Sequence, residues 1–210
     1  MKKLKKTFFA KAWHFIWHEE SLASWIVNII LAFIIIKYLV YPGLGLLFNT
    51  SFPVVAVVSP SMEHTSSFDS WWDSQESFYE NFNITKQDFK QFYFKNGFNK
   101  GDIIVLFGTD TEKIVVGDVI VYYVRGKQYP IIHRVILVKN NNGDNDNKDI
   151  VFETKGDNNH AQIKSFNFDE TNIPESSYIG KAVFRIPFLG YVKIWFVKLM
   201  SFIGLEGFFS

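Results

Sequence analysis

The chain has 210 residues and no cysteine, which excludes thiol catalysis, cysteine-ligated metal centres and disulfides. Its formal net charge is +1, from 22 Lys and Arg against 21 Asp and Glu, so no global field favours nucleic acid as a partner. Hydrophobic residues make up 48% and aromatic residues 18% of the chain, and this composition favours contact with a lipid bilayer.

The N-terminal region combines a basic segment with a long apolar one. Residues 22–48 carry Lys37 as their only charge, and a membrane-spanning helix needs about 20 mostly apolar residues. This pattern predicts a transmembrane anchor over 22–48, ended or kinked by Pro42 and Gly43. Residues 1–21 are basic and aromatic, which predicts an interfacial segment on the cytoplasmic side and an extracytoplasmic location for the rest of the chain. The long apolar core, without a small-residue cleavage site behind it, favours a retained anchor over a cleaved signal peptide.

Short β-branched runs follow the anchor within residues 49–190 and predict a β-rich domain. Several of these runs begin at Gly-Asp pairs, which are typical of turns. The predicted strands are Pro53 to Val58, Ile103 to Phe107, Val119 to Val124, Ile131 to Val138, Ile150 to Glu153 and Tyr178 to Arg185.

Two segments differ from this pattern. Residues 63–100 mix aromatic and acidic side chains and predict an insertion with one or two short helices, one of them starting at a capping box from Thr85 to Asp88. Its aromatic residues could enter the membrane interface, cover a catalytic site or fill a small core of their own. Residues 191–210 are apolar but contain charges, which predicts a C-terminal interfacial helix, with a helix packed on the core as the alternative.

Candidate catalytic residues begin directly after the first predicted strand. Ser59 and Ser61 place two hydroxyls about a dozen residues after the anchor. A serine needs a neighbouring base to become a nucleophile. His133 lies within an apolar strand and has a side chain suited to proton transfer near neutral pH. Asp157 lies in a Gly-Asp turn, where its carboxylate could orient an imidazole.

These residues fall within an ordered set of motifs that resembles the type I signal peptidases, specifically the archaeal and endoplasmic-reticulum branch. The set spans most of residues 53–190, and four motifs in order behind an N-terminal anchor are more specific than any one alone. The four motifs are Ser59-Pro60-Ser61-Met62, the Gly-Asp pairs Gly101-Asp102 and Gly117-Asp118, Ile132-His133-Arg134-Val135, and Lys155 to Asn159. The closing Gly180 to Val183 with Pro187 to Gly190 also fits the family pattern.

The resemblance implies a mainly β fold, in which a mostly antiparallel catalytic domain follows the transmembrane helix and contains the partly helical insertion. It implies that Ser61 is the nucleophile, that His133 is the general base, and that Ser59 with the backbone N–H of Ser61 forms the oxyanion hole. Met62 would shape the floor of the specificity pocket. No metal or other cofactor is expected.

The implied reaction is removal of signal peptides from exported preproteins on the outer face of the membrane. The expected partners are these preproteins, the lipid bilayer and the secretion translocon, in the cell membrane or in the endoplasmic-reticulum membrane of a eukaryote. An extended substrate could add beside a strand edge. The residues expected to flank it are Val55, Val57, Pro130 and Ile132.

The region expected to supply the third catalytic residue departs from the family pattern. Relatives with a histidine base usually carry an aspartate about six residues after the Lys-Gly-Asp motif, and Ile163 stands there. We expect Asp157 to orient His133, with Asp169 or Gln162 as alternatives. His64 replaces a common proline and is a second imidazole, for which we expect a loop role.

Two other functions stay open at this point. A serine peptidase could use Lys155 or Lys113 as its base in place of His133. Alternatively, the chain could be a catalytically silent β domain, anchored in the membrane, that binds exported chains or glycans through its aromatic insertion.

Overall fold

The computed structural model describes residues 2–142 and 148–202. These residues fall into two compact units, one within Met1–Leu47 and the other within Phe48–Ser210. The end of the predicted C-terminal helix, beyond residue 202, lies outside the described residues.

The described residues of the N-terminal unit are helical apart from the connection at residues 18–21. Helix α1 spans Lys2–Trp17, and α2 (Leu22–Ile35) continues through a π-helical turn at Ile36–Val40 into α3 (Tyr41–Leu47). The continuous 26-residue helix Leu22–Leu47 is long and apolar enough to cross a membrane. This helix does not end at Pro42. Proline has no N–H to donate within a helix. The wide turn before it, in which the N–H of Tyr41 donates to the carbonyl of Ile36, allows the helix to continue through Pro42.

Polar side chains of α2 receive the end of α1. The Ser24 hydroxyl donates to the carbonyl oxygen of Phe15 at 2.6 Å, and the Asn28 side-chain amide donates to that of Ile16 at 2.9 Å. The last carbonyls of a helix lack partners within it, so these two bonds satisfy groups that an apolar environment would leave unpaired. These two polar side chains of α2 thereby join α1 and α2 into a hairpin.

The second unit is built on a seven-stranded antiparallel sheet with the order β1-β2-β9-β3-β4-β5-β8, accompanied by a separate two-stranded hairpin of β6 and β7. This architecture confirms the predicted fold class. The strands are β1 (Val54–Ala56), β2 (Ile103–Phe107), β3 (Val119–Tyr122), β4 (Ile131–Asn142), β5 (Lys148–Lys155), β6 (Lys164–Ser165), β7 (Phe168–Asp169), β8 (Ile173–Pro174) and β9 (Tyr178–Ile186).

Alternate residues of the central strands pack on opposite faces of the sheet. One face carries a core that includes Ile120, Tyr122 and Phe152, and a second cluster includes Met62 and Val119. In β4, His133 and Arg134 are adjacent and therefore point to opposite faces. This alternation decides which side chains each of the two can reach.

The Gly-Asp motifs form turns that start strands. Gly101 and Gly117 have φ values of +89° and +95°, a left-handed conformation that side chains with a Cβ rarely adopt. The carboxylate of Asp102 accepts a hydrogen bond from the backbone N–H of Asn99 at 2.7 Å, and that of Asp118 accepts one from Val115 at 3.0 Å. Both motifs therefore have a structural role in closing these turns.

Residues 63–100, which we call the inserted segment, contain α4 (Phe68–Glu80) and α5 (Lys86–Phe89). The capping box predicted from Thr85 to Asp88 is present, because each side chain pairs with the backbone of the other. After β9 the chain forms α6, Gly190–Phe202.

Candidate active site

The Ser59–Met62 segment turns sharply after β1 and is fixed from behind. The N–H of Glu63 donates to the carbonyl of Pro60 at 3.0 Å, and Met62 is fully buried, with its carbonyl accepting from the N–H of Phe98 at 3.0 Å. Ser59 is exposed and Ser61 is half-buried. Their hydroxyl oxygens lie 3.1 Å apart. The turn therefore presents two paired hydroxyls at the surface on a buried support.

His133 lies in the middle of the sheet, opposite Ile120 of β3, and only 3% of its surface is exposed. Its Nδ1 atom contacts the carboxylate oxygen Oε1 of Glu170. A carboxylate at Nδ1 fixes both the orientation of the ring and the tautomer that has Nε2 free to accept a proton. The assignment of Nδ1–H as the donor follows from this contact, because Glu170 carries no proton when ionised.

Glu170 is fully buried and receives further hydrogen bonds. Its Oε2 accepts the backbone N–H of Ile163 at 2.6 Å, and its Oε1 accepts from the hydroxyls of Thr154 at 3.3 Å and Tyr122 at 3.5 Å. Burial, together with the charge of Glu170, raises the pKa of Tyr122 well above its ordinary value, so this phenol remains a donor. These donors stabilise an ionised carboxylate in a buried position.

Gly156 brings His133 and Ser61 together. A Cβ atom at this glycine would lie 2.8 Å from Nε2 of His133 and 2.8 Å from the carbonyl oxygen of Ser61. These two atoms are thus separated by no more than twice that distance. The N–H of Asn158 donates to the same Ser61 carbonyl at 2.8 Å, and the Asn158 side chain donates to that of Pro60 at 3.1 Å. The turn from Lys155 to Asn159, which we call the catalytic turn, therefore holds the serine segment beside the imidazole.

Asp157 lies in this turn but does not contact His133, which differs from the expectation that it orients the base. Its carboxylate accepts two bonds from the Arg134 guanidinium, at 2.9 and 2.7 Å, and lies 3.1 Å from Nε2 of His64. The charge of Arg134 and the bond to His64 overcome burial and hold the pKa of Asp157 far below its usual range. The physical reason is strand alternation, because Asp157 lies on the Arg134 face of β4.

The two alternative orienting residues also contact other groups. Asp169 is exposed and accepts bonds from the N–H and hydroxyl of Thr171, which lower its pKa. Gln162 donates to the carbonyl oxygens of Thr154 and Glu170 and to the carboxylate of Glu153. Gln162 thus supports the backbone of Glu170 and does not contact the imidazole.

The residues expected to contact substrate occupy two settings. Val57 and Met62 are buried in a core cluster, whereas Val55 and Ile132 are half-buried and pack against that cluster. Pro130 is half-buried just before β4. Met62 also accepts the N–H of Asp157 at its sulfur, at 3.4 Å.

The two lysines considered as alternative bases point elsewhere. Lys155 is buried, and its Nζ donates to the side-chain oxygen of Gln75 at 2.8 Å and to the carbonyl of Gly156 at 3.1 Å. Lys113 is exposed and pairs with Asp110. The geometry therefore favours His133 as the base.

No family model matches the chain. Sequence comparison finds relatives named "Signal peptidase complex catalytic subunit SEC11" from Saccharomyces cerevisiae strains YJM789, RM11-1a and JAY291. Each is 32% identical to this chain over 160 residues, which cover 75% of the chain and 74% of the relative. The motifs and antiparallel sheet agree with this similarity, and the chain belongs to the endoplasmic-reticulum branch of the type I signal peptidases, a family of serine endopeptidases.

Proposed function

We propose that this protein removes signal peptides from exported preproteins, with Ser61 as the nucleophile and His133 as the general base. The observation that supports this most directly is the setting of the His133 ring. Its Nδ1 faces the buried carboxylate of Glu170, and its Nε2 lies beside the Ser61 segment at Gly156. We further propose that Glu170, and not Asp157, is the residue that orients the imidazole.

In this mechanism His133 Nε2 accepts the Ser61 hydroxyl proton as the serine oxygen attacks the scissile carbonyl carbon. The protonated imidazole then donates that proton to the leaving amine as the carbon–nitrogen bond breaks, which leaves an acyl-ester on Ser61. Water attacks the ester with its proton passing to Nε2, and the proton returns to the Ser61 oxygen as the new carboxyl terminus leaves. Throughout the cycle, Glu170 stabilises the imidazolium form through Nδ1.

Negative charge develops on the substrate carbonyl oxygen during both steps. The Ser59 hydroxyl is 3.1 Å from that of Ser61, so it is close enough to donate to this oxygen together with the backbone N–H of Ser61. Removing one such donor typically costs about 10²–10³ in rate. We therefore assign the oxyanion hole to these two groups.

Within the part of the chain that the structure describes, two strand edges without a pairing strand support binding of an extended substrate. β1 is the edge strand of the sheet. In an antiparallel pair only every second residue directs its N–H and C=O groups toward the partner strand, so those of Val54 and Ala56 point away from β2 and the sheet. The second edge belongs to β4. Its pairing with β5 begins at Arg134, so the preceding residues Ile131 and Ile132 are not paired on that side. A peptide lying between these edges could form backbone hydrogen bonds with both.

The helix Leu22–Leu47 supports a location in the membrane. Lysines before it favour a cytoplasmic N-terminus, which would place residues 49–190 on the outer face of the cell membrane or in the lumen of the endoplasmic reticulum. A signal peptide has its own apolar core in lipid, so a serine tethered about a dozen residues from the anchor suits it. The yeast relatives are named as subunits of a complex, and we propose accessory subunits and the secretion translocon as partners here.

The silent binding domain is the weaker candidate. The aromatic side chains assigned to such binding are buried, with Trp71 at 4% and Trp72 at 1% exposure. These two tryptophans are therefore core residues, and the large aromatic side chain that the segment exposes is Tyr93, at 71%.

The test is cleavage of a model preprotein by purified protein in lipid vesicles. Ser61→Ala and His133→Ala should abolish cleavage, while the controls Ser66→Ala and His160→Ala, at exposed positions, should retain it. Cleavage by Ser61→Ala at the wild-type rate would disprove the proposal. Protection of the second unit from added protease in sealed membranes would test the assignment of the membrane face.

A further inference from the structure

The inserted segment forms a small core on one face of β4. Its buried members are mostly aromatic, and they pack against Ile136 of the sheet. These residues are Trp71, Trp72, Tyr79, Ile84 and Phe89. The segment is thus attached to the catalytic domain by a packed interface.

This core lies against the catalytic turn and forms hydrogen bonds with it. The indole N–H of Trp71 donates to the Asp157 carbonyl at 3.2 Å, and the Tyr79 hydroxyl donates to the Asp157 carboxylate at 3.4 Å. Nε2 of His64 lies 3.1 Å from the same carboxylate, with its ring stacked on Trp71 at 3.8 Å between centroids. The inserted segment therefore contacts the turn through several independent side chains.

One further contact, between Gln75 and Lys155, leads to the backbone beside the proposed base. The Lys155 ammonium donates to the Gln75 side-chain oxygen and also to the carbonyl of Gly156, which is the residue beside His133 Nε2 and the Ser61 carbonyl. Movement of Gly156 would change the separation of these two groups. A misplacement of about 1 Å can cost about 10²-fold in rate.

Lys155 is unusual because its two hydrogen-bond acceptors are both uncharged. Its Nζ lies 5.0 Å from the ring centre of Phe78 and 4.9 Å from that of Tyr79. Burial lowers the pKa of Lys155 to about 8, and Arg134, its cross-strand partner, acts in the same direction, whereas Asp157 and Glu170 oppose it. The facing titratable groups are thus Tyr79 of α4, Arg134 of β4, Asp157 of the turn, and Glu170.

We propose that the inserted segment is a positioning element for catalysis, in which Gln75 holds charged Lys155 and thereby fixes Gly156 between the base and the nucleophile. This inference rests on the proposed peptidase function. In this proposal the inserted segment affects turnover by holding the catalytic turn, and it does not itself contact the substrate. Lys155 and Gln75 are accordingly positioning residues.

The test compares the pH dependence of preprotein cleavage in wild type, Gln75→Leu and Gln75→Glu, with Gln91→Leu as a control at an exposed position in the same segment. Gln75→Leu removes an acceptor of the Lys155 ammonium, so kcat at pH 7 should fall about tenfold or more with KM unchanged. The loss of activity at alkaline pH, where Lys155 loses its charge, should move to lower pH. Gln75→Glu supplies a carboxylate and should move that loss about one pH unit higher. Profiles that superimpose on wild type would overturn the proposal.

A second measurement is independent of activity. Hydrogen exchange of the Asn158 amide, which donates to the Ser61 carbonyl, should accelerate in Gln75→Leu and stay unchanged in Gln91→Leu. Unchanged exchange in Gln75→Leu would also overturn the positioning role. The peptidase function itself would be refuted if the wild-type protein did not cleave the preprotein, or if Ser61→Ala still cleaved it. The hydrogen-exchange result would then still decide whether the inserted segment holds the catalytic turn.

Discussion

The Nδ1 atom of His133 contacts the carboxylate of Glu170, and both side chains are almost completely buried. The two residues come from β4 and from the segment after β7, so the sheet and the small hairpin together create the pair. The same carboxylate accepts the backbone N–H of Ile163. Glu170 therefore has a fixed position from which it can act only on the Nδ1 side of the ring.

The close approach at Gly156 predicts the effect of adding a single methyl group. Gly156→Ala would place a Cβ 2.8 Å from His133 Nε2, from the Ser61 carbonyl oxygen and from the Asn159 side-chain nitrogen, so the groups around this position must shift. We expect at least about a 10²-fold loss of kcat. The control is Gly43→Ala, which has no neighbouring atom within 4 Å. Wild-type turnover by a folded Gly156→Ala variant would contradict the close packing of base and nucleophile.

Asp157 is predicted to affect stability more than proton transfer. Asp157→Asn leaves the guanidinium of Arg134, which is fully buried, without its counter-charge, and breaking a buried pair typically costs about 3–5 kcal/mol. Thermal unfolding in detergent should show a lower midpoint for this variant than for Asp169→Asn, whose carboxylate is exposed. Equal midpoints for the two variants would contradict the assignment.

The pH dependence of this stabilisation follows from the lowered pKa of Asp157. A carboxyl group with a depressed folded-state pKa contributes its full stabilisation above the unfolded-state value, which is about 3.9. The contribution is lost as pH falls from there toward the folded-state pKa. The stability difference between wild type and Asp157→Asn should therefore be constant near neutral pH and narrow only below about pH 4. A difference that narrows between pH 5 and 7 would indicate another titrating group.

The free edge of β1 predicts a backbone effect on substrate binding. Ala56→Pro removes an N–H directed away from the sheet, at an edge position where proline is tolerated. Loss of one hydrogen bond should lower kcat/KM for a preprotein about two- to tenfold, mainly through KM. Ala56→Ser keeps the N–H and should behave like wild type. An effect confined to kcat would argue against strand addition at this edge.

The sequence predicted most of the fold because the strands are apolar runs bounded by Gly-Asp turns. β2, for example, matches its predicted limits of Ile103 and Phe107. The helix through Pro42 was harder to predict, because a π-helical turn accommodates the proline there. Local patterns thus located the elements but not this irregularity.

Within the candidate site, the orienting acid could not be found by counting along the chain. Ile163 occupies the expected position, but the hairpin of β6 and β7 reverses the chain and returns Glu170 beside it, where the Glu170 N–H donates to the Ile163 carbonyl at 2.9 Å. The available signal was a pair of short strands around Phe166 and Asn167, too short to stand out by periodicity. The pairing of Glu170 with His133, which is distant in the chain, becomes apparent only in the three-dimensional structure.

The most direct test of the mechanism is turnover of a preprotein by Glu170→Gln, measured beside wild type and Glu170→Asp in the same lipid. Glutamine keeps the shape but not the charge, so it cannot stabilise the imidazolium as the carboxylate does. We predict a loss of kcat of about 10²-fold or more, up to the 10⁴-fold seen when a triad acid is neutralised, with folding retained. Glu170→Asp should keep part of the activity. Wild-type kcat in folded Glu170→Gln would contradict the assignment of Glu170 as the acid that orients His133.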